Sequence, residues 1–256
     1  MATLPKATCV NRIDANCVSR GLYDRPLIAA AHPDAQTSLH RFYQTIWKLE
    51  GLIIDLTNVR PEYVPDWSKP IVKRGYEFRV QAIFHYPDWF ECIYQMIDPF
   101  GQEKMIHRIH LKTWKDGDII PLPQLHALCE RIERSHYRHF LIHCAAGVGR
   151  TGTLCTALIM KQWIREGKLQ DDQSYLERIN QLIITLRTRR NRRFVSTSVQ
   201  YNLLIEYGKY LLSRKEGEAH HDHERVEEHV ASPASGAAAA AQAQEKPTEP
   251  KGKDRN

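Results

Sequence analysis

Residues 143–151 read HCAAGVGRT, and this segment constrains the fold more than any other part of the chain. It follows an apolar run at 140–142, typical of a buried strand, and precedes a helix-compatible run at 151–166. Gly147 and Gly149 lack a Cβ, so they permit positive φ and a close approach of the backbone to a ligand. The sequence therefore predicts a strand, a tight loop and a helix in immediate succession.

The same segment carries the chemical groups of a phosphate site. Backbone N–H groups between Ala145 and Arg150, with the positive end of the next helix, favour a bound anion and a cysteine thiolate. Cys144 is a nucleophile only as the thiolate. The planar Arg150 guanidinium matches two phosphate oxygens, and Thr151 can donate a hydroxyl to the sulfur. His143 is expected to orient the loop from the strand side. The structural alternative is a buried core cysteine beside a simple turn.

Cysteine, both glycines, arginine and threonine in this register resemble the active-site loop of the cysteine-dependent protein tyrosine phosphatases. The resemblance extends over roughly residues 14–213. It implies an α/β fold with a mixed central sheet flanked by helices and the phosphate loop between a strand and a helix. It also implies Cys144 as nucleophile, Arg150 as phosphate ligand and no metal or other cofactor. The residues that would surround the phosphate are Ala145, Ala146, Gly147, Val148, Gly149 and Arg150.

A general acid is expected in residues 113–121, which read TWKDGDIIP and are called the acid loop below. They resemble the mobile tryptophan-proline-aspartate loop of the tyrosine-specific branch of the family. Asp116 has the matching spacing from Trp114, and Lys115 replaces the proline, which removes a constraint on φ. Asp118 is the alternative acid. Either aspartate is otherwise an ordinary turn residue before a helix.

Residues 196–200, STSVQ, match a third part of the family pattern. Gln200 matches a glutamine that positions the hydrolytic water, whereas Ser196 stands where the family often has another glutamine. Thr197 followed three residues later by Gln200 is also a capping box at a helix start. The sequence leaves both interpretations open.

The N-terminal part resembles the family less closely, at residues 14–16 and 28–33. The tyrosine-bearing recognition loop that normally deepens the pocket is not recognisable, and Asn11-Arg12 is interpreted as its remnant.

Composition divides the chain into a catalytic domain at 1–215 and a tail at 216–256. The first segment is long enough for one α/β core. The tail is rich in histidine and alanine and is predicted to be disordered, with no fixed metal geometry for its histidines. It holds nine acidic and five basic side chains, so the overall charge of +6 leaves +10 on residues 1–215. That charge favours anionic ligands.

Five arginines crowd the stretch before Gln200. They are Arg187, Arg189, Arg190, Arg192 and Arg193. At the rim of the site they would receive acidic residues beside a phosphotyrosine, a second phosphate, an inositol polyphosphate or an RNA end. The alternative is a solvated helix terminus with arginines favourable to the helix dipole.

Four functions compete. The leading interpretation is a phosphatase acting on phosphotyrosyl proteins. Cysteine phytases, which act on inositol phosphates, have a similar loop and would explain the arginines. Residues 51–58 resemble a segment of RNA 5′-triphosphatases, but those enzymes generally lack a comparable acid loop. No aromatic residues alternate with the arginines for base stacking, so nucleic acid is not the expected partner. A phosphotyrosine-binding module with little turnover is motivated by Lys115 and Ser196.

No run of about 18 apolar residues occurs, so no membrane span is expected. Residues 1–10 lack the pattern of a signal peptide, and the expected location is the cytoplasm, or that of an exported effector without a cleavable signal. Six cysteines at irregular spacing indicate neither a disulfide framework nor a metal site. Cys92 and Cys155 are either buried structural thiols or partners of Cys144 in a reversible disulfide.

Hydrophobic periodicity and turn signals predict the remaining elements. The predicted helices are 37–50, 122–135, 151–166, 173–186 and 197–212. The predicted strands are 52–56, 77–84, 90–97, 105–111 and 140–142.

Overall fold

The computed structural model describes residues 14–33, 36–58, 63–64 and 70–230, without the side chains of 36–38 and 216–230. Its strands are β1 (Ala15–Cys17), β2 (Leu27–Ala31), β3 (Leu52–Asp55), β4 (Ile71–Lys73), β5 (Tyr76–His85), β6 (Phe90–Ile97), β7 (Glu103–His110) and β8 (Phe140–Cys144). Its helices are α1 (Gln36–Leu49), α2 (Leu122–Glu133), α3 (Gly149–Arg165), α4 (Tyr175–Arg189) and α5 (Ser198–Val230).

The strands form one mixed sheet in the order β1-β2-β8-β3-β7-β6-β5-β4. The four central strands β2, β8, β3 and β7 run parallel, whereas the outer strands pair antiparallel. In this register Asp55 lies opposite both His110 and His143, and Ala31 lies opposite Cys144. The carboxyl ends of parallel strands meet at one edge of the sheet, where ligands bind in α/β folds. The sheet therefore brings His143, the residue before Cys144, beside the Asp55 carboxylate.

Both faces of the central strands are buried. Ile53 and Leu141 pack with α1 on one face, while Leu52 and Ile142 pack with α2 to α5 on the other. Such strands are apolar throughout rather than alternating, as is typical of parallel sheets covered by helices. The predicted fold class, a mixed sheet flanked by helices, is confirmed.

Most predicted elements are found within a few residues of their expected bounds, but three strands had no prediction. β1 and β4 have only three residues each. β2 reads LIAAA, and alanine has little strand propensity, so the segment gains its strand conformation from pairing on both sides.

The predicted boundary at residue 215 falls within α5. Helix α5 is continuous to Val230, whereas disorder was expected from residue 216. Glutamate, which occurs five times in 216–230, has high helix propensity. The chain divides into two units, Met1–Lys215 and Glu216–Asn256. Residues 1–13, which include Asn11-Arg12, and residues 231–256 lie outside the described part.

Two features are absent from the described residues. None of their helices has the length and apolar character needed to cross a bilayer. Within the same ranges, no three His, Cys, Asp or Glu side chains are grouped to hold a metal ion.

Candidate active site

Cys144 is the last residue of β8 and only 1 % exposed. The loop that follows turns its carbonyl groups outward: Ala145 O accepts from His32 N at 2.9 Å, and Gly147 O accepts from Arg190 Nε at 3.3 Å. Because C=O and N–H of a trans peptide point in opposite directions, the next N–H groups point to the inside of the loop. The loop therefore presents donors on its inner side, an arrangement that binds anions.

Space restricts both loop glycines, and conformation restricts Gly147 as well. Gly147 has φ +65°, and a Cβ there would overlap the Ala30 carbonyl group. Gly149 begins α3, and a Cβ there would lie 2.5 Å from Ser196 Oγ. Any larger residue at either position would push the loop away from β2 or from the start of α5.

Arg150 lies in the first turn of α3 and is 1 % exposed. Its Nη1 donates to Leu56 O and to Trp114 O, each at 2.8 Å. Its Nη2 lies 3.0 Å from Asp116 Oδ1. One guanidinium thus joins the phosphate loop, the end of β3 and the acid loop.

The acid loop presents its two aspartates differently. Asp116 is largely exposed and contacts Arg150. Asp118 accepts from the Ile119 N–H at 2.8 Å through its own carboxylate, and its carbonyl accepts from Trp114 Nε1 at 2.8 Å. Of the two aspartates, Asp116 is therefore the one that the structure brings to the arginine.

Three buried polar atoms around the loop have no hydrogen-bond partner among the described residues. They are Arg150 Nε, Thr151 Oγ1 and His143 Nδ1. A buried donor without an acceptor costs about 1–3 kcal/mol, so Arg150 Nε and Thr151 Oγ1 mark a place where a ligand supplies the missing partner. Arg150 Nε is suited to a phosphate oxygen, and Thr151 is next to it in the chain.

A buried polar cluster lies at the carboxyl ends of β3, β7 and β8. Arg108 donates to Asp55 Oδ2 through Nε at 3.1 Å and Nη2 at 2.6 Å. The Tyr63 hydroxyl lies 3.2 Å from Asp55 Oδ2 and 2.6 Å from His143 Nε2. Both contacts are satisfied only if Tyr63 donates to the carboxylate and His143 Nε2–H donates to Tyr63. The cluster therefore fixes the ring that precedes Cys144. His110 joins it through Arg108.

Burial and charge set the protonation of this cluster. Burial opposes ionisation of Asp55, but His143 and the Arg108 guanidinium lower the pKa of that carboxyl well below its usual range. Burial lowers the pKa of His143 and of His110 to about 4 each. Both imidazoles are consequently neutral near pH 7, and Asp55 and Arg108 form the charged pair.

The Gln200 side chain is fully buried at the start of α5. The backbone N–H of Gln200 donates to Thr197 Oγ1 at 3.3 Å. The side-chain Oε1 of Gln200 accepts from Ser196 N at 3.0 Å. These bonds cap the helix in the manner of a capping box, with the return bond going to Ser196 rather than to Thr197. Its Nε2 donates to Asp118 O at 3.2 Å. Gln200 thus contacts the acid loop.

Three of the five clustered arginines are used within the fold. Arg187 donates to Phe194 O and Val195 O, and Arg189 donates to Val18 O and Arg20 O. Arg190 donates to Asn16 Oδ1 at 2.9 Å and also pairs with Asp14. Arg192 and Arg193 are exposed. The cluster therefore does not present five unengaged guanidinium groups to an anion.

Cys92 and Cys155 are buried free thiols, like Cys144 itself. Burial raises the pKa of both Cys92 and Cys155, so neither is primed as a thiolate.

Sequence reasoning missed Asp55, Tyr63, Arg108 and the role of Arg190. Asp55 at the end of an apolar strand and Arg108 inside another are detectable signals, because a charged residue in a buried strand needs a partner. The identity of that partner depends on the sheet order, which the sequence did not reveal.

A family model described as Protein-tyrosine phosphatase matches residues 4–207, which is most of the chain. The chain belongs to this family. Receptor-type tyrosine-protein phosphatase epsilon of Rattus norvegicus is 26% identical over 232 residues, covering 82% of this chain and 32% of the relative. The chain spans about a third of the length of the first such relatives, from rat, mouse and human.

Solved protein-tyrosine phosphatases share the fold. Trypanosoma brucei Protein Tyrosine Phosphatase TbPTP1 superposes with a TM-score of 0.72 at 18% identity, covering 82% of this chain and 77% of that one. PTPN18 in complex with HER2 phosphopeptides superposes with a TM-score of 0.62 at 19% identity, covering 72% and 66%. At these identities the likeness supports the fold alone.

Proposed function

We propose that the protein hydrolyses phosphotyrosine in proteins through a cysteinyl-phosphate intermediate. Cys144 is the nucleophile, Arg150 and the loop N–H groups bind the phosphate, and Asp116 is the general acid and then the base. The observation that carries the proposal is the buried Arg150, which contacts Asp116 while its Nε has no acceptor among the described residues.

The first step transfers the phosphoryl group to sulfur. The Cys144 thiolate attacks phosphorus, the bond between phosphorus and the tyrosine oxygen breaks, and the Asp116 carboxyl gives its proton to the leaving phenolate. Arg150 and the inward N–H groups stabilise charge on the equatorial oxygens.

The second step releases phosphate. Asp116, now a carboxylate, accepts a proton from water while the water oxygen attacks phosphorus. The bond between sulfur and phosphorus breaks, and Cys144 leaves as a thiolate to which the Thr151 hydroxyl donates. His143, held by Tyr63, keeps the nucleophile in line from the strand side.

The phosphotyrosyl substrate is favoured over the other anions for a structural reason. Arg187, Arg189 and Arg190 are engaged with backbone carbonyls or Asp14, which weakens the case for an inositol polyphosphate or RNA site built from the arginine cluster. The PTPN18 structure, by its title, holds phosphopeptides. We propose a phosphopeptide ligand for the present chain by analogy.

The chemistry also bears on location. Cys144 must remain reduced to attack phosphorus, so the proposal requires a reducing compartment. The cytoplasm, or the cytoplasm of a recipient cell reached by export, meets this requirement.

A panel of four substrates tests the proposal. We would measure phosphate release without added metal from a phosphotyrosyl peptide, a phosphoseryl peptide, inositol hexakisphosphate and triphosphorylated RNA, using wild type and Cys144→Ser. Release from phosphotyrosine alone, lost in Cys144→Ser, is the expected result. Preference for the inositol phosphate or the RNA would overturn the substrate assignment, and release by Cys144→Ser would overturn the nucleophile.

A further inference from the structure

The acid loop is tied to the start of α5 by side chains outside the loop. Thr197 Oγ1 donates to Gly117 O at 3.2 Å, and Gln200 Nε2 donates to Asp118 O at 3.2 Å. Gly117 and Asp118 are the two residues that follow Asp116. The acceptors are backbone carbonyls, so the ties act on the loop's path rather than on a particular loop side chain.

The Gln200 amide is fixed from several sides. Its Oε1 accepts from Ser196 N at 3.0 Å and lies 3.2 Å from Ser196 Oγ. A Cβ built on Gly149 would lie 3.2 Å from both of its amide atoms, so the first residue of α3 packs directly against it. A buried amide held this way has little rotational freedom, so the direction in which Gln200 Nε2 donates is fixed.

The loop is restrained internally as well. Trp114 is fully buried, its Nε1 donates to the same Asp118 carbonyl at 2.8 Å, and its own carbonyl accepts from Arg150 at 2.8 Å. Asp116 lies between these fixed points and contacts Arg150 at 3.0 Å. The position of the Asp116 carboxyl is thus defined by contacts at Trp114 on one side and at Gly117 and Asp118 on the other.

From these contacts we propose that Thr197 and Gln200 are positioning residues that latch the acid loop in the conformation in which Asp116 reaches Arg150. This inference rests on the proposed function. It assigns Gln200 a task in proton delivery to the leaving group, in addition to capping α5 and distinct from positioning water. Lys115 makes the latch more necessary, because the loop lacks the φ restraint of a proline at that position.

A substitution at Gln200 tests the latch, because the loss of activity should depend on how much the leaving group needs a proton. Gln200→Met keeps the side-chain length and removes the amide. We expect kcat/KM, which reports the first step, to fall about tenfold for a phosphotyrosyl peptide, whose phenolate needs a proton. For an aryl phosphate with an acidic phenol, which leaves without a proton, kcat/KM should change by less than about twofold. Both substrates form the same cysteinyl phosphate, so any effect on Asp116 as the base of the second step lowers kcat for both alike.

Gln162→Met is the matched control. Gln162 is another buried amide, and its partners are Asp24 and Glu166, not the acid loop. We expect this variant to lower stability without separating the two substrates. An equal loss of kcat/KM on both substrates in Gln200→Met, or no loss on either, would overturn the latch.

Thr197 separates latching from helix capping. Thr197→Asp retains an oxygen that caps α5 but has no donor for Gly117 O, whereas Thr197→Ser retains both functions. We expect Thr197→Asp to reproduce the leaving-group effect and Thr197→Ser to behave like wild type. If the wild type itself shows no Cys144-dependent turnover, the proposed function fails. If it turns over and the variants do not separate the substrates, only the latch fails.

Discussion

At the scale of single residues, the account depends on the guanidinium of Arg150. This group is buried, touches Asp116 and donates to two backbone carbonyls, so it sets the distance between the acid loop and the phosphate loop. Lysine has one point charge and could not make these contacts together. The exposed Asp116 and the buried Arg150 form an ion pair. A bound phosphate would contact the guanidinium at Nε, the nitrogen that the ion pair leaves unused.

The acid assignment gives the first prediction. Asp116→Ala should lower kcat for a phosphotyrosyl peptide by about 10²–10⁴, because the leaving phenolate loses its proton donor, while binding is retained. Steady-state kinetics and capture of the phosphopeptide measure the two effects. Asp118→Ala is the matched variant and should stay within about threefold of wild type, since its backbone carbonyl, not its carboxylate, holds the loop. A reversed order would show that Asp118 is the acid.

At the scale of elements, α2 is fixed to the sheet by a buried carboxylate. Glu91 on β6 accepts from Arg131 of α2 at 2.7 and 2.6 Å and contacts His107 of β7 at 2.9 Å. Burial alone would raise the pKa of Glu91, but the bonds from His107 and Arg131 lower it from 4.5 to about 2. Helix α2 follows the acid loop directly, so the contact between Glu91 and Arg131 also restrains one end of the loop.

The lowered pKa predicts how stability depends on pH. A carboxyl whose pKa is lower in the folded state than in the unfolded state stabilises the fold at pH values above its unfolded-state pKa. For Glu91 this contribution is lost as pH falls from about 4.5 towards 2. The shift corresponds to about 3 kcal/mol. Glu91→Gln should therefore be less stable at pH 7 by about 3 kcal/mol and should show a flatter decline over that pH range.

Denaturant unfolding at a series of pH values measures both effects. Glu77→Gln is the control, because Glu77 forms a more exposed pair with Arg79 and should change stability by less than about 1 kcal/mol. Equal pH slopes for wild type and Glu91→Gln would contradict the assigned role of Glu91.

Elements with a strong periodic pattern were predictable, and so was the phosphate loop, because Cys144, Gly147 and Arg150 are contiguous in the chain. The capping role of Thr197 was also predictable as one of two interpretations. The contact between Gln200 and Asp118 was not, since it joins residues 82 positions apart. β1 has too few residues for a pattern and forms by pairing with β2.

At the scale of the whole molecule, the domain boundary remains a prediction. Among the α5 side chains that the structure describes, Leu211 and Leu212 are the last in the hydrophobic core. A chain that ends at Lys215 keeps both. We therefore expect it to retain the wild-type kcat and to lose no more than about 4 °C in Tm. A cooperative thermal unfolding curve and a kinetic assay provide the check. Loss of activity in a well-folded shortened chain would mean that residues 216–256 contribute to the site.

The buried polar cluster also belongs to this scale, because it joins three neighbouring strands of the sheet. Asp55 comes from β3, Arg108 from β7 and His143 from β8. Sequence patterns show each residue separately, but only the strand order unites them. The sheet therefore supplies the rigid base on which the loop, the arginine and the acid are assembled.

The central claim is that Cys144 becomes phosphorylated during turnover, and its most direct test is to isolate that species. We would mix wild type with a phosphotyrosyl peptide, quench in acid within one turnover and locate the phosphoryl group by peptide mass spectrometry. The account predicts a phosphoryl group on Cys144 and none in Cys144→Ser. Steady release of phosphate by Cys144→Ser, or a phosphoryl group on another residue, would contradict it.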